Sequence, residues 1–224
     1  MKKFAFGMAL TLATAALAVA ETAAERLSDS AAVFREIMST PDKGIPQDLL
    51  GKAQCVVIVP GMKKGAIVIG GEFGRGFAMC RHDNGIGWGA PAAVRVEGGS
   101  VGFQIGGSST DVVMLVMNRR GMDKLLSDKF TLGADASVAA GPVGRTAAAD
   151  TDARMTAEIL AWSRAKGLFA GISLNGATMR NDLDVNEELY GSKLHNKEVI
   201  EGDVKAPPAA QELRTELDKY PLRK

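Results

Sequence analysis

Leu27, Ala31, Phe34 and Met38 recur at i, i+4, i+7 and i+11 within "AERLSDSAAVFREIM", which places them on one face of a helix. The prolines and glycine of "STPDKGIP" end it. Its polar face carries Glu25, Arg26, Asp29, Arg35 and Glu36, a mixture of signs that fits a helix capping a core. A helix lying in a membrane surface, the competing reading, is usually richer in lysine and arginine there. After "QDLLGKA", the β-branched run "QCVVIVP" reads as a buried strand. The period then becomes two: Val94 and Val96 alternate with Arg95 and Glu97, Val101, Phe103 and Ile105 with Gly102, Gln104 and Gly106, and "GISLNG" repeats the pattern through Ile172 and Leu174. "DVVMLVMN" is continuous and predicts a central strand, followed by a helix over "RRGMDKLLSD". "DLDVNEELYG" predicts a helix ending at Gly191. Beyond a proline hinge, Ala210, Leu213, Leu217 and Tyr220 share the face of one more short helix.

These elements predict an α+β domain over residues 21–191. Its core is an antiparallel, β-rich, barrel-like sheet with flanking N- and C-terminal helices, and residues 192–224 follow as an appendage. The turns agree, since Asn84-Gly85 and Asn175-Gly176 are strong hairpin signals. The stretch "AIVIGGEFGRGFAMCRHDNGIGWGAP" holds glycines inside strand-like sequence, as closely packed sheet requires. It completes neither a phosphate-binding P-loop nor a dinucleotide fingerprint, so it predicts two strands and a hairpin.

Composition narrows the possibilities. "MKKFAFGMALTLATAALAVA" has the charged start, apolar run and small-x-small end of a signal peptide, with cleavage expected after Ala20. An uncleaved anchor helix is the alternative. No cysteine follows to take a lipid, so export to a periplasm, unlipidated, is expected. Removing the leader's two lysines from 27 basic residues leaves 25 against 26 acidic ones. A chain so near neutrality is a poor nucleic-acid binder, and attraction to an anionic surface must come from a local patch. Cys55 and Cys80 are the two cysteines. In an oxidising compartment such a pair favours a disulfide over a metal site, with buried free thiols as the alternative.

Candidate chemistry is sparse. "GGSVG" formally matches G-x-S-x-G, but strand sequence follows where the nucleophile elbow needs a helix; a triad of Ser100, Asp111 and His195 can be written yet is remote. His82 beside Asp83 reads as a solvated cap, and Asp150/Asp152 and Asp182/Asp184 lie where nothing places them in a shared cleft. Neither catalytic residues nor a metal or cofactor site is expected. Lys63, Lys64, Arg75 and Arg81 stand against Glu72 in residues 61–82, a local cationic patch that is either a solvated strand face or a head-group contact.

Three segments resemble one family, the SYLF domain. The first runs from "GGEFGRGFAMCRHDNGIGWGAP" through the G-x-Q-I-G strand to the T-D-hydrophobic strand "TDVVMLVMN". The second is "FTLGADASVAAGPVGRTAAADTD", with A-G-P-x-G-R. The third is "WSRAKGLFAGISLNGATMRNDLDVNEELYG", with S-R-x-K-G-L-F-A-G and N-x-x-x-Y-G. The resemblance covers residues 25–191 and implies a lipid-binding module: eukaryotic members bind phosphoinositide membranes, some bind actin, and bacterial members are exported. For an exported protein it implies phosphatidylglycerol, cardiolipin or an acyl chain as ligand. This chain departs from relatives in its weakly basic first helix and in Trp162, where tyrosine is common.

The candidate head-group residues are therefore Lys63, Lys64, Arg75, Arg145 and Lys166. Arg145 follows a glycine that lets backbone approach a phosphate, or else pairs with Asp150 or Asp152 to fix a turn. The expected function is non-enzymatic binding of anionic phospholipid, a membrane surface or acyl chains. The alternative is an envelope scaffold whose tail "APPAAQELRTELDKY" holds a protein partner.

Overall fold

The computed structural model describes residues 21–40, 44–66, 70–82, 84–100, 106–142, 156–165, 168–172 and 174–221. Helix α1 (Ala23–Ser39) starts at a capping box, in which Thr22 accepts from the Glu25 amide and the Glu25 carboxylate accepts from the Thr22 amide. Its predicted stripe is buried through Leu27, Ala31 and Phe34, with Met38 packed at the edge. A short helix α2 (Gln47–Lys52) leads into β1 (Cys55–Ala66), β2 (Gly70–Cys80), β3 (Ala92–Ser100) and β4 (Gly106–Val116). Then come α3 (Arg119–Leu125), β5 (Lys129–Thr131), β6 (Val138–Ala140), β7 (Ile159–Ala165), β8 (Leu168–Gly171) and β9 (Thr178–Asn181). Helices α4 (Leu183–Tyr190), α5 (Asn196–Glu201) and α6 (Gln211–Asp218) close the chain.

The strands form a single sheet in the order β5-β9-β3-β2-β1-β4-β7-β6, with β8 added on β7. Among the described strands, every pairing is antiparallel except β6 with β7. The sheet curls into a half-barrel, and both faces are buried, which is why "QCVVIVP" and "DVVMLVMN" read as continuous apolar runs. Val56, Ile58, Phe77, Met79, Val113 and Leu115 face the helices. Val57, Val59, Ala78, Val94, Val112 and Met114 fill the inside of the curl with Met122, Leu125 and Phe130.

The glycines of β2 belong to this geometry. A Cβ on Gly74 would lie 2.5 Å from Val59 Cγ1, and one on Gly76 would strike the Ile58 backbone. The register of β1 against β2 shifts between Ile58 and Lys63, and the irregular segment presses inward onto these two positions. Close strand approach, not phosphate binding, accounts for them.

Cys55 and Cys80 are register partners on β1 and β2 and form the expected disulfide. The "GISLNG" strand is corrected: β8 ends at Gly171, and the chain turns through Asn175-Gly176 into β9. Ile172 still donates its amide to the Ala161 carbonyl, so the segment follows the sheet without extending the ladder.

The C-terminal segment is docked. Leu213 and Leu217 are fully buried in the cluster that holds α1, and Tyr220 packs edge-on to Phe34 at 5.9 Å. Arg35 of α1 bonds Glu212 and Glu216 of α6, and Arg81 donates to the Tyr220 carbonyl at 2.9 Å. Among the described residues, no helix is long and apolar enough to cross a membrane.

Candidate functional site

The sequence motifs meet one another in space. Asp111 of the T-D strand is the register partner of Arg164 in the S-R-x-K-G segment. Arg164 Nε donates to Asp111 Oδ2 at 2.8 Å and Nη2 lies 2.7 Å from the same oxygen. Asp111 Oδ1 accepts from the amide of Gly61, whose positive φ turns β1 toward it. Trp162 Nε1 donates to the Pro142 carbonyl in A-G-P, and the indole ring fills the space where a Cβ on Gly141 would sit. From N-x-x-x-Y-G, Tyr190 donates to the Pro91 carbonyl at 2.6 Å and Asn186 accepts from the Ala93 amide at 2.8 Å. Burial pushes the Tyr190 hydroxyl well above its ordinary value, so it remains a donor. These motif residues fasten strand to strand and helix to sheet.

Charge is concentrated elsewhere. Arg75 on β2 is the partner of Arg95 on β3, Arg95 of Arg180 on β9, and Arg180 of Lys129 on β5. Register partners share a face, so four cations stand in one row across four adjacent strands, about 5 Å apart. Like charges placed directly opposite one another destabilise a sheet, so folding alone does not account for the row. Glu97 serves two of its members, lying 2.9 Å from Arg95 Nε and 3.5 Å from Arg180 Nε. Arg75 Nε is 3.0 Å from Asp182 Oδ2, a carboxylate that is almost entirely buried. None of the three Nε–H groups is aimed to form a hydrogen bond. Lys129 is exposed and has no carboxylate partner among the described residues. Beside Arg75, the Phe73 ring is 43 % exposed and lies 5.8 Å from the guanidinium.

The row borders an open cleft of about 420 Å³. Its far wall comes from the start of α4 and the chain before α5, where Lys193 meets Asp184 at 3.1 Å and His195 Nδ1 meets Asp128 at 2.8 Å. Lys193 holds the Asp184 carboxyl below its ordinary value, with Arg75 and Arg95 adding to the effect.

Of the residues picked out in sequence, the structure brings Lys63 and Arg75 to this part of the sheet. Lys63 is exposed and is the partner of Phe73. Arg145, Lys166 and Ala20 lie outside the described residues, as does the side chain of Lys64. Arg81, counted with the cationic patch, is instead spent inside the fold: it donates to the Ala53, Leu50 and Tyr220 carbonyls and stacks 4.2 Å from the Trp88 ring. Arg95, Arg180 and Lys129 were not singled out, because only the pairing of distant strands puts them in line.

The written triad does not assemble. Asp111 is engaged by Arg164 and Gly61, His195 by Asp128, and β2 and β1 separate the strand of Ser100 from that of Asp111. His82 is exposed, and Asp83, Asp150 and Asp152 are outside the described residues. Asp182 and Asp184 point to different partners, Arg75 and Lys193. No cluster of three or more His, Cys, Asp or Glu side chains able to hold a metal occurs among the described residues.

Comparison with known proteins adds a second line of observation. Residues 97–220 match the family model Ysc84, described as "Las17-binding protein actin regulator". An SH3 domain-containing protein of Schizosaccharomyces pombe is 37% identical over 172 residues, 75% of this chain and 40% of that protein. LAS seventeen-binding protein 3 of Saccharomyces cerevisiae is 35% identical over 176 residues, 77% of this chain and 38% of its own length. SH3 domain-containing YSC84-like protein 1 of Bos taurus is 31% identical over 190 residues, 84% of this chain and 55% of its own. The chain thus spans between about two-fifths and just over half of these relatives.

Proposed function

The chain belongs to the Ysc84 family, the SYLF domain of its sequence motifs, and from that premise we propose that it is a non-enzymatic, exported lipid-binding protein that presents its cation row to anionic phospholipid. The observation that carries this reading is the alignment of Arg75, Arg95, Arg180 and Lys129 on one face. Coulomb repulsion within the row is relieved when a negatively charged surface covers it. Phe73 adds an exposed apolar ring at the Arg75 end, next to Lys63 on the neighbouring strand, so cationic and apolar contacts lie side by side. Export to a periplasm is supported by the leader-like first 20 residues and by the Cys55–Cys80 bridge, a bond that oxidising compartments preserve.

Co-sedimentation with vesicles tests the reading. Phosphatidylglycerol or cardiolipin vesicles should retain the protein and phosphatidylcholine vesicles should not, and salt near 0.5 M should weaken retention by screening. Lys63→Glu combined with Lys129→Glu should reduce retention, whereas Lys52→Glu on α2 should leave it unchanged. Equal binding to neutral vesicles would point to acyl-chain burial.

A second reading rests on the family description and on the relatives' names, which refer to Las17 and actin. In it the domain is a protein-binding module and the same face receives an acidic partner. Failure to bind any vesicle would favour this reading.

A further inference from the structure

We propose that the cleft at the Arg180–Lys129 end of the cation row is a site for a phosphate monoester, the dianionic group of a phosphatidic acid head or of a soluble sugar or glycerol phosphate. This deepens the head-group reading and rests on it for the membrane-borne ligand alone.

The pairing around the cleft leaves specific donors unspent. Asp182 is taken by Arg75, Asp184 by Lys193, and Asp128 by His195 and by the Asn181 amide nitrogen at 3.3 Å. Glu97 is left to serve Arg95 and Arg180 together, while Lys129 has no carboxylate among the described residues. Overall the cluster is balanced, five cations (Arg75, Arg95, Arg180, Lys129 and Lys193) against five carboxylates (Glu97, Asp128, Asp182, Asp184 and Glu187), but unevenly: Lys193 has both Asp184 and Glu187, Asp182 is on Arg75, and Asp128 is on His195. The excess is local, at Arg95, Arg180 and Lys129.

Those three stand on neighbouring strands, about 5 Å apart, so two adjacent donors can straddle one phosphorus and a third can reach it from the side. A phosphate diester in a phospholipid carries one charge and two free oxygens. A monoester carries about −1.5 to −2 and three acceptor oxygens, which matches three donors and a local excess of positive charge. Arginine presents a planar fork that binds two phosphate oxygens at once. The cleft falls within the usual range for small-molecule sites of about 300–1,000 Å³ and is open enough to admit a group still attached to a lipid.

The test compares soluble and membrane-borne forms on the full chain. Glycerol 3-phosphate and inorganic phosphate are titrated by calorimetry or by amide shifts, and vesicles with phosphatidic acid are compared with vesicles of equal phosphatidylglycerol content. Glycerol 3-phosphate should bind, and phosphatidic acid vesicles should be retained about tenfold better than phosphatidylglycerol ones. Arg180→Gln and Lys129→Gln should each weaken both by at least about fivefold without changing the melting temperature. Lys129 is exposed and has no ion-pair partner among the described residues, so its variant tests the site even where Arg180→Gln disturbs the sheet. Equal retention of both vesicle types, unaffected by Lys129→Gln, would overturn the monoester site and leave the general membrane reading standing. Glycerol 3-phosphate binding abolished by Lys129→Gln, with no vesicle retention, would uphold the site and remove the membrane reading. Absence of binding to either form overturns both.

Discussion

Asp111 on β4 and Arg164 on β7 face each other across the sheet, with two guanidinium nitrogens within 2.8 Å of one carboxylate oxygen. Arg164 also pairs with Glu36 on α1, so the T-D and S-R motifs tie the middle of the sheet to the helix that covers it. Both side chains are mostly buried, and a partner left alone there keeps its desolvation cost without its compensating charge. Arg164→Ala or Asp111→Asn should each cost about 2 kcal/mol and lower Tm by about 4–8 °C. The double variant should cost clearly less than the sum, because the second change removes a charge the first had orphaned. Strict additivity in thermal melts would show that the pair is not coupled.

Gly141 and Trp162 give a steric prediction. The Trp162 ring is fully buried and occupies the space next to the Gly141 Cα, while its indole N–H donates to the Pro142 carbonyl at 3.1 Å. Gly141→Ala should destabilise by roughly 1–3 kcal/mol through overpacking. Trp162→Phe, a smaller ring, should make room for the added methyl. Denaturant melts of the double variant should then show a smaller loss than the two single losses combined. A Gly141→Ala protein as stable as the wild type would contradict this packing.

Tyr190 and Asn186 sit on one helix but should differ in weight. Tyr190 donates one hydrogen bond, to the Pro91 carbonyl. Asn186 is completely buried and spans two strangers, accepting from the Ala93 amide and donating to the Leu194 carbonyl at 2.7 Å. Tyr190→Phe removes a donor without leaving a buried N–H unpaired, and should cost about 1 kcal/mol. Asn186→Ala strands a buried amide and a carbonyl together and should cost about 2–3 kcal/mol. Amide exchange at Ala93 is the discriminating readout: it should accelerate in Asn186→Ala and stay slow in Tyr190→Phe. The reverse order would mean that α4 is held chiefly by its terminal tyrosine.

The uneven legibility of the sequence has a physical cause in these contacts. Periodicity exposes whatever one element does alone, so α1, the runs in β1 and β4, and the helix that Gly191 ends with a positive φ of 75° were all readable. The Cys55–Cys80 bridge was readable because two cysteines leave a single pairing. The cation row was hidden because it belongs to no element. Arg95 looks like an ordinary polar position in an alternating strand, while β5 and β9 are only three and four residues long, too short for a period to emerge. Their alignment depends on a β9 that returns to pair with β3 from far along the chain. The tail was legible in part for a related reason: the stripe of Leu213 and Leu217 was visible, but its burial against α1 is set by tertiary contact.

That tertiary contact makes the molecule sensitive to acid. Lys219 donates to Glu216 at 2.6 Å and Arg35 reaches the same side chain at 3.1 Å. Lys219 chiefly holds the Glu216 carboxyl below its ordinary value of 4.5; burial opposes it, and Arg35 adds to the lowering. A carboxyl lowered in the folded state stabilises fully above its unfolded value and loses that contribution as pH falls through the folded one. Tm should therefore be level from pH 7 to about 5, then decline at lower pH as the link from α6 to α1 is protonated. Arg35 is about half exposed, so solvent limits the contribution to roughly 0.5 kcal/mol, or about 1–2 °C. Glu216→Gln should lower Tm by that amount at pH 7 and make the acid decline correspondingly shallower, since the variant has nothing left to protonate there. Calorimetric scans of both proteins from pH 3 to 7 decide the matter: parallel curves at every pH would mean that Glu216 does not govern the docking of the C-terminal helix.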